Sequence, residues 1–263
     1  MYTLKNIRKV KIKKAFSEAS VFYHKNAELQ KRTAARLARS VRPWKYTIPA
    51  GRVLEIGSGT GFFSEHLVKI FPDRELIITD LSEKMISLCK ENVGNYKHVK
   101  FEVKDAENIG PDNNSYACIA GNFVAQWFRD PASTLQRLTE MLVPGGLLLM
   151  AFPGSESFPE WRNHCVELGL PFTANTLPDV NEIVIKLSMG QNQIDFYEDS
   201  YTESYQSAFH FFRHLKKIGV TTSMNDKSLS ASDFKKLVEY WDRKTENEIT
   251  ITYYLVFIAI KKN

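Results

Sequence analysis

Apolar residues recur along this chain in short runs, separated by stretches that carry helix periodicity. From about residue 52 to 152 the alternation is regular. RVLEI, ELIITD, VKFEVKD, YACIA and GGLLLMAF read as buried strands. Between them GFFSEHLVKIF reads as a helix with Phe62, Leu67 and Ile70 available to one face, and SEKMISLCKENV and PASTLQRLTEML carry the same period. Ser82 stands where it can cap the second of these helices, with Glu83 in the first turn as the helix dipole prefers, and Pro131 opens the third. Connections of about ten or more residues suit helical crossovers, so a parallel strand order is expected. Ahead of this unit lies a basic helical segment over roughly residues 13–41. Behind it the texture changes. Helices near PEWRNHCVELG, DVNEIVIKL, SYQSAFHFFRHLKKIG and SASDFKKLVEYWDRK accompany strands around QIDFYEDSYTES and EITITYYLVFIAIKK, bringing the expected sheet to seven strands. No internal repeat is visible.

Composition narrows the class without naming it. The 263 residues are 43% hydrophobic and 25% charged, ordinary for a globular chain able to bury a sizeable core. No apolar run approaches the roughly 20 residues that a bilayer requires; GGLLLMAF and YYLVFIAI have the length of strands. The N-terminus MYTLKNIRKVKIKK is basic but lacks an apolar h-region and a small-residue cleavage site, so no secretory signal is read, although a mitochondrial presequence stays open. Cys89, Cys118 and Cys165 are odd in number and lack CxxC spacing, against both a disulfide framework and a structural zinc site. A cytoplasmic location follows as the expectation. The formal net charge of +5 permits an acidic partner without demanding one.

Chemistry enters at VLEIGSGTG. Gly57, Gly59 and Gly61 follow a strand and precede a helix, where glycine lets the backbone turn tightly and lets a ligand approach the main chain. A dinucleotide site prefers GxGxxG with a pyrophosphate over the helix N-terminus. Here the run is ExGxGxG, and Glu55 would face a pyrophosphate badly but suits a cationic ligand. Asp80 ends the second strand, and Asp105, Ala106 and Glu107 follow the third. The C-terminal ends of successive strands open onto one crevice in such sheets, so these acids belong to one site.

The pattern resembles motif I of the class I S-adenosylmethionine-dependent methyltransferases, which implies a Rossmann-like α/β fold. The resemblance assigns cofactor binding to Glu55, Gly57, Gly59, Gly61, Asp80, Leu81, Asp105, Ala106 and Asn122, with Asp80 on the ribose hydroxyls and Asp105 and Ala106 beside the adenine. LVPGG, Leu142 to Gly146, is the turn into the fifth strand. GNFVAQWF leaves the fourth strand beside the methyl donor. Amino-methylating relatives carry Asn/Asp-Pro-Pro-Tyr/Phe there, and Asn122-Phe123-Val124-Ala125 lacks the prolines, so methylation of nucleic-acid bases or glutamine is disfavoured.

A narrower resemblance spans nearly the whole chain. KAFSEASVFYHKNAELQ (residues 14–30), NFVAQWFRDP, HLKKIGVTTS and TITYYLVFIAIKK are similar to segments of the biotin-pathway malonyl-acyl-carrier-protein O-methyltransferases. Many members have Asp and Cys where this chain has Glu55 and Ser58. The resemblance implies one methyltransferase domain over 1–263, with a helical lid segment at 13–41, a cofactor-binding core at 52–152 and substrate-covering helices and the last two strands at 153–263. It implies methylation of a malonyl thioester's free carboxylate, with Tyr23 as the catalytic, acceptor-orienting residue and His24, Gln126 and Trp127 as further substrate contacts. The donor is S-adenosylmethionine, the product S-adenosylhomocysteine, and no metal is required. The partner is an acidic acyl carrier protein, for which Arg32, Arg36 and Arg39 on one helix and Arg213, Lys216 and Lys217 on another are candidate docking cations. Phe209, Phe211 and Phe212 read as core. Two alternatives stay open: methylation of another small free acid, as in the trans-aconitate methyltransferases, and a non-catalytic S-adenosylmethionine-binding module.

Overall fold

A computed structural model of the chain describes residues 4–110, 115–220 and 228–263. Thr221–Ser223 at the end of HLKKIGVTTS lie outside the described residues. Two helices open the chain, α1 (Leu4–Asn26) and α2 (Glu28–Trp44). The alternating unit follows: β1 (Arg52–Ile56), α3 (Ser64–Ile70), β2 (Leu76–Asp80), α4 (Glu83–Val93), β3 (Val99–Val103), β4 (Tyr116–Asn122), a 3-10 turn Ala125–Trp127, α5 (Pro131–Glu140) and β5 (Leu142–Pro153). Then come α6 (Pro159–Leu168), α7 (Val180–Ser188), β6 (Asn192–Tyr205), α8 (Ala208–Lys217), α9 (Ala231–Lys244) and β7 (Ile249–Lys262). Among the described residues the strands form one seven-stranded sheet in the order β3-β2-β1-β4-β5-β7-β6. β1 pairs in parallel with both β2 and β4, β2 with β3, and β4 with β5. The strand order therefore reverses between β1 and β4, the place where open α/β sheets bind ligands.

Local chemistry explains several helix starts. The Ser82 hydroxyl accepts the Met85 N–H at 3.3 Å at the start of α4. Asp130 accepts the Ser133 N–H at 2.9 Å, and Pro131 contributes a pre-set φ at the first position of α5. Three sequence expectations need correction. The N-terminal helical segment is longer than 13–41 and is broken at Ala27 into α1 and α2. α3 begins at Ser64 rather than Gly61, because Gly61 has a φ of 100° that no helix accommodates, so Phe62 is buried ahead of the helix. LVPGG is counted within β5 rather than ahead of it: β5 partners run from Leu142 opposite Tyr116 to Leu147 opposite Cys118, so the extra residues bulge out of the ladder.

The chain divides into two compact units. One comprises Ala27–Phe152, Pro178–Glu198 and Val256–Asn263, and its core joins Leu54, Ile56, Ile119, Leu148 and Met150 from the strands to Val256, Ile258 and Ile260 from the end of β7. The other comprises α1 with Pro153–Leu177 and Asp199–Leu255, built around an aromatic cluster of Phe158, Trp161, Phe211, Phe212 and Trp241. Phe211 is buried there and Phe212 half-buried, but Phe209 is exposed and is not the core residue that the sequence suggested. Cys89, Cys118 and Cys165 are all buried free thiols. No helix among the described residues is long and apolar enough to cross a membrane.

Candidate active site

The glycine turn after β1 is shaped as much by protein as by ligand. Gly57, Gly59 and Gly61 all have positive φ, at 65°, 54° and 100°. A Cβ on Gly57 would lie 2.5 Å from Cγ2 of Val124, and one on Gly61 would lie 3.2 Å from the Cys89 sulfur and 3.1 Å from Val93. At these two positions side chains from the β4 exit and from α4 occupy the space, an account that the open-approach reading of the motif did not contain. Gly59 instead turns its N–H to Asp80, whose Oδ2 accepts it at 2.9 Å. The turn is further tied down by the Ser58 N–H donating to the Thr79 carbonyl at 2.9 Å and the Thr79 hydroxyl donating to the Glu55 carbonyl at 2.8 Å.

Two carboxyls thus meet at the ends of β1 and β2. Asp80 Oδ1 also accepts the Ser82 N–H at 2.8 Å, so both of its oxygens are held by backbone donors. Burial pushes the Asp80 carboxyl up from its ordinary range, while the N–H groups of Ser82, Gly59 and Leu81 pull it back. Glu55 is only 1% exposed. Burial drives its pKa up to about 8, with the Ser64 hydroxyl lowering it and the neighbouring Asp80 raising it. Its Oε2 is buried with no hydrogen-bond partner.

At the end of β4 the Asn122 carboxamide donates to the Gln30 carbonyl of α2 at 3.0 Å, leaving its own oxygen buried and unpaired. Gln126 donates to the Phe123 carbonyl at 2.9 Å, and Trp127, the last residue of the 3-10 turn, is buried. Beyond β3, Asp105 accepts the Glu107 N–H and the Asn108 side-chain amide at 3.0 and 2.7 Å. Ala106 is buried and Leu81 half-buried. Glu55, Gly57, Gly59, Gly61, Asp80, Leu81, Asp105, Ala106, Asn122, Gln126 and Trp127 all belong to one unit, on the β1, β2, β3 and β4 exits. Tyr23 and His24 lie on α1, in the other unit; Tyr23 is buried with its ring edge-on to Phe16 at 6.2 Å, and His24 is exposed. Sequence reasoning missed Gln30, the partner of Asn122, and Val124, whose only signal was a β-branched residue three positions after Gly121.

The groups at the switch point are mostly acceptors: the Asp80 carboxyl, the Glu55 carboxyl with its unpaired Oε2, and the unpaired oxygen of Asn122. That set suits a ligand bearing positive charge and hydroxyl donors, and is wrong for a pyrophosphate. A methyltransferase-domain profile matches residues 53–146, which hold this whole constellation. A malonyl-[acyl-carrier protein] O-methyltransferase of Bacillus cereus is 31% identical over 273 residues, covering 97% of this chain and 98% of its own. The chain belongs to the malonyl-[acyl-carrier protein] O-methyltransferase family. Another of the family, from Magnetococcus marinus, is 30% identical over 238 residues, covering 89% of this chain and 86% of its own. The crystal structure of the YcgJ protein of Bacillus subtilis shares the fold, with a TM-score of 0.60, 17% identity, and coverage of 87% of this chain and 99% of that one. The chain is accordingly an S-adenosylmethionine-dependent methyltransferase of class I, and the dinucleotide alternative for its glycine turn falls away.

Of the candidate docking cations, Arg32 and Arg39 are exposed on α2. Arg36 is differently engaged: its guanidinium lies 5.1 Å from the Tyr197 ring centre and 4.9 Å from that of Phe257, two rings stacked 4.8 Å apart. Arg213, Lys216 and Lys217 are exposed towards the C-terminal end of α8.

Proposed function

We propose that this methyltransferase acts on the free carboxylate of a malonyl group carried as a thioester on acyl carrier protein, giving the methyl ester from which pimelate is built for biotin. The observation that supports this reading is the extent of the family likeness, 97% of the chain, which reaches well past residues 53–146 matched by the general methyltransferase domain.

The chemistry asks little of the protein. S-adenosylmethionine supplies, when bound, an electrophilic methyl group on a sulfonium. A malonyl carboxylate is ionised at neutral pH, so no general base is needed to make the nucleophile. Opposite charges disappear as the methyl moves, and a tight cationic clamp on the attacking oxygen would stabilise the ground state more than the transition state. The residues of this chain therefore serve by orientation and exclusion of water. Asp80 would hold the ribose hydroxyls with the acceptor capacity its backbone donors leave. Glu55 and Asn122 would meet the charged end of the donor, and Leu81, Asp105 and Ala106 the adenine. Tyr23 is assigned the acceptor-orienting role, on the likeness of its segment to the family's.

Asp80→Ala should abolish donor binding by calorimetry, about a hundred-fold or more if two charge-assisted hydrogen bonds of about 1.5–3 kcal/mol each are lost. Tyr23→Phe should leave donor affinity unchanged and lower turnover; equal loss of donor affinity in both variants would mean Tyr23 is misassigned. The assignment of substrate is tested by mass spectrometry of malonyl-acyl carrier protein and malonyl coenzyme A incubated with the protein and donor. A gain of one methylene mass on malonyl but not acetyl substrates supports it, and the relative rates identify the carrier. No gain, with donor binding intact, would move the reading to a different small acid.

A further inference from the structure

The chain leaves β4 through an unfavourable conformation. Phe123, directly after Asn122, has a φ of 55°, in the left-handed region that side chains other than those of Asn and Asp rarely enter. Its neighbours hold it there. The Phe123 N–H donates to the Ala151 carbonyl of β5 at 2.7 Å. Its carbonyl accepts the Gln126 carboxamide N–H at 2.9 Å. The next residue, Val124, then folds back so that its methyls sit 2.5 Å from where a Cβ on Gly57 would be and 2.8 Å from where one on Gly121 would be. The orientation of the Gln126 amide is fixed by chemistry, since turning it over would set its oxygen against the Phe123 carbonyl oxygen. In the orientation it has, Oε1 is buried without a partner. A half-satisfied buried carboxamide is costly, and strained backbone persists only where its surroundings over-determine it, commonly beside a ligand site.

We propose that Gln126 is a positioning residue: by holding the Phe123 peptide in its left-handed turn it seats Val124 on Gly57, and so ties the segment leaving β4 to the donor-binding loop leaving β1. Gln126 then acts through the backbone, and its loss is felt first at the methyl donor. The proposal rests on the donor site and not on the identity of the acceptor, so it stands or falls separately from the malonyl assignment.

The test is a double-mutant cycle on the full chain, read by calorimetric affinity for S-adenosylmethionine and S-adenosylhomocysteine at a temperature where every variant is folded. Gln126→Ala should weaken both ligands roughly three- to ten-fold, the worth of one hydrogen bond on a strained peptide. In the Phe123→Gly background, where the left-handed turn carries no steric cost, the same substitution should weaken them less than about two-fold. Gln126→Glu supplies a second readout that tolerates poor folding of the alanine variant. A protonated carboxyl can donate to the Phe123 carbonyl and an ionised one repels it, so the affinity relative to the parent protein, pH by pH, should recover as pH falls towards 5. Equal penalties of Gln126→Ala in both backgrounds, or a ratio for Gln126→Glu that does not change with pH, would overturn the proposal. So would a Gln126→Ala variant with unchanged donor affinity and a raised KM for the acceptor alone, because that outcome makes Gln126 a direct substrate contact.

Discussion

Glu55 is buried near the end of β1, beside the Asp80 carboxyl. With its pKa raised to about 8 by burial, it holds a proton at neutral pH in the ligand-free protein that the unfolded chain has already lost. Between roughly pH 4.5 and 8 the native state therefore binds more protons than the unfolded state, and the contribution of Glu55 to stability falls as pH rises through that window. Glu55→Gln should flatten the decline, as measured by denaturant titration of ligand-free protein at several pH values; a decline of unchanged slope would show that Glu55 is ionised throughout. Gly57 makes a second residue-scale prediction. Gly57→Ala meets both a φ of 65° and the methyls of Val124, and should cost about 2–4 kcal/mol, the sum of a left-handed residue and an overpacked contact. Adding Val124→Ala should recover only part of the packing cost, because Cβ of residue 124 would still stand 2.7 Å from the new methyl, and should leave the conformational part untouched, so the melting temperature rises but stays below that of the parent. The glycines and acids of this site were legible because their chemistry is tied to their spacing after a strand. Phe123 was not, since a phenylalanine is among the last residues that sequence reasoning would place at positive φ, and neither was Val124, whose role exists only once β1 and β4 are neighbours.

Elements were read well where period and cap agree, and less well where the backbone departs from either. SEKMISLCKENV is α4 because Ser82, Glu83 and the buried row Met85, Ile86, Cys89 and Val93 tell one story. GFFSEHLVKIF has an equally good apolar spacing, yet its first residues form a turn, because Gly61 is held at positive φ with Cys89 and Val93 against it. LVPGG, expected as the turn into the fifth strand, is a bulge within a twelve-residue strand, which only the pairing of β5 with β4 reveals. On α2 the helical spacing put Arg32, Arg36 and Arg39 together as cations, but Arg36 has aromatic partners in β6 and β7. This separates the candidates for carrier docking. Charge reversal of Arg213, Lys216 and Lys217 should raise KM for the carrier-protein substrate several-fold, more at low salt than high, and leave the coenzyme A substrate unaffected. An equal effect on both substrates would remove α8 from the docking surface. Arg36→Ala should instead lower thermal stability, by about 1 kcal/mol for a lost cation–π contact.

At the scale of the whole molecule, neither compact unit is a continuous stretch of chain: β6 passes from one to the other at Glu198 and Asp199, and β7 at Leu255 and Val256. Val256, Ile258 and Ile260 close the core around Leu148 and Met150, each contributing about 1.5–3 kcal/mol of burial. Against a total stability of about 5–15 kcal/mol, removal of Val256–Asn263 should leave a chain that no longer unfolds cooperatively, with donor binding lost although no donor-binding residue has been touched. The sequence pattern showed that a long apolar strand closes the chain; that this strand completes the core around the first half of the protein depends on the sheet order, which no local pattern encodes. The buried thiols have a practical consequence. Burial pushes Cys89 and Cys118 up to about 12 and raises Cys165 as well, so in the folded protein all three are poor nucleophiles towards maleimides and iodoacetamides. A cysteine introduced on an exposed turn of α1 would then be the fast-reacting thiol, and a fluorophore attached there could follow that helix through a catalytic cycle without first stripping the native cysteines from the chain.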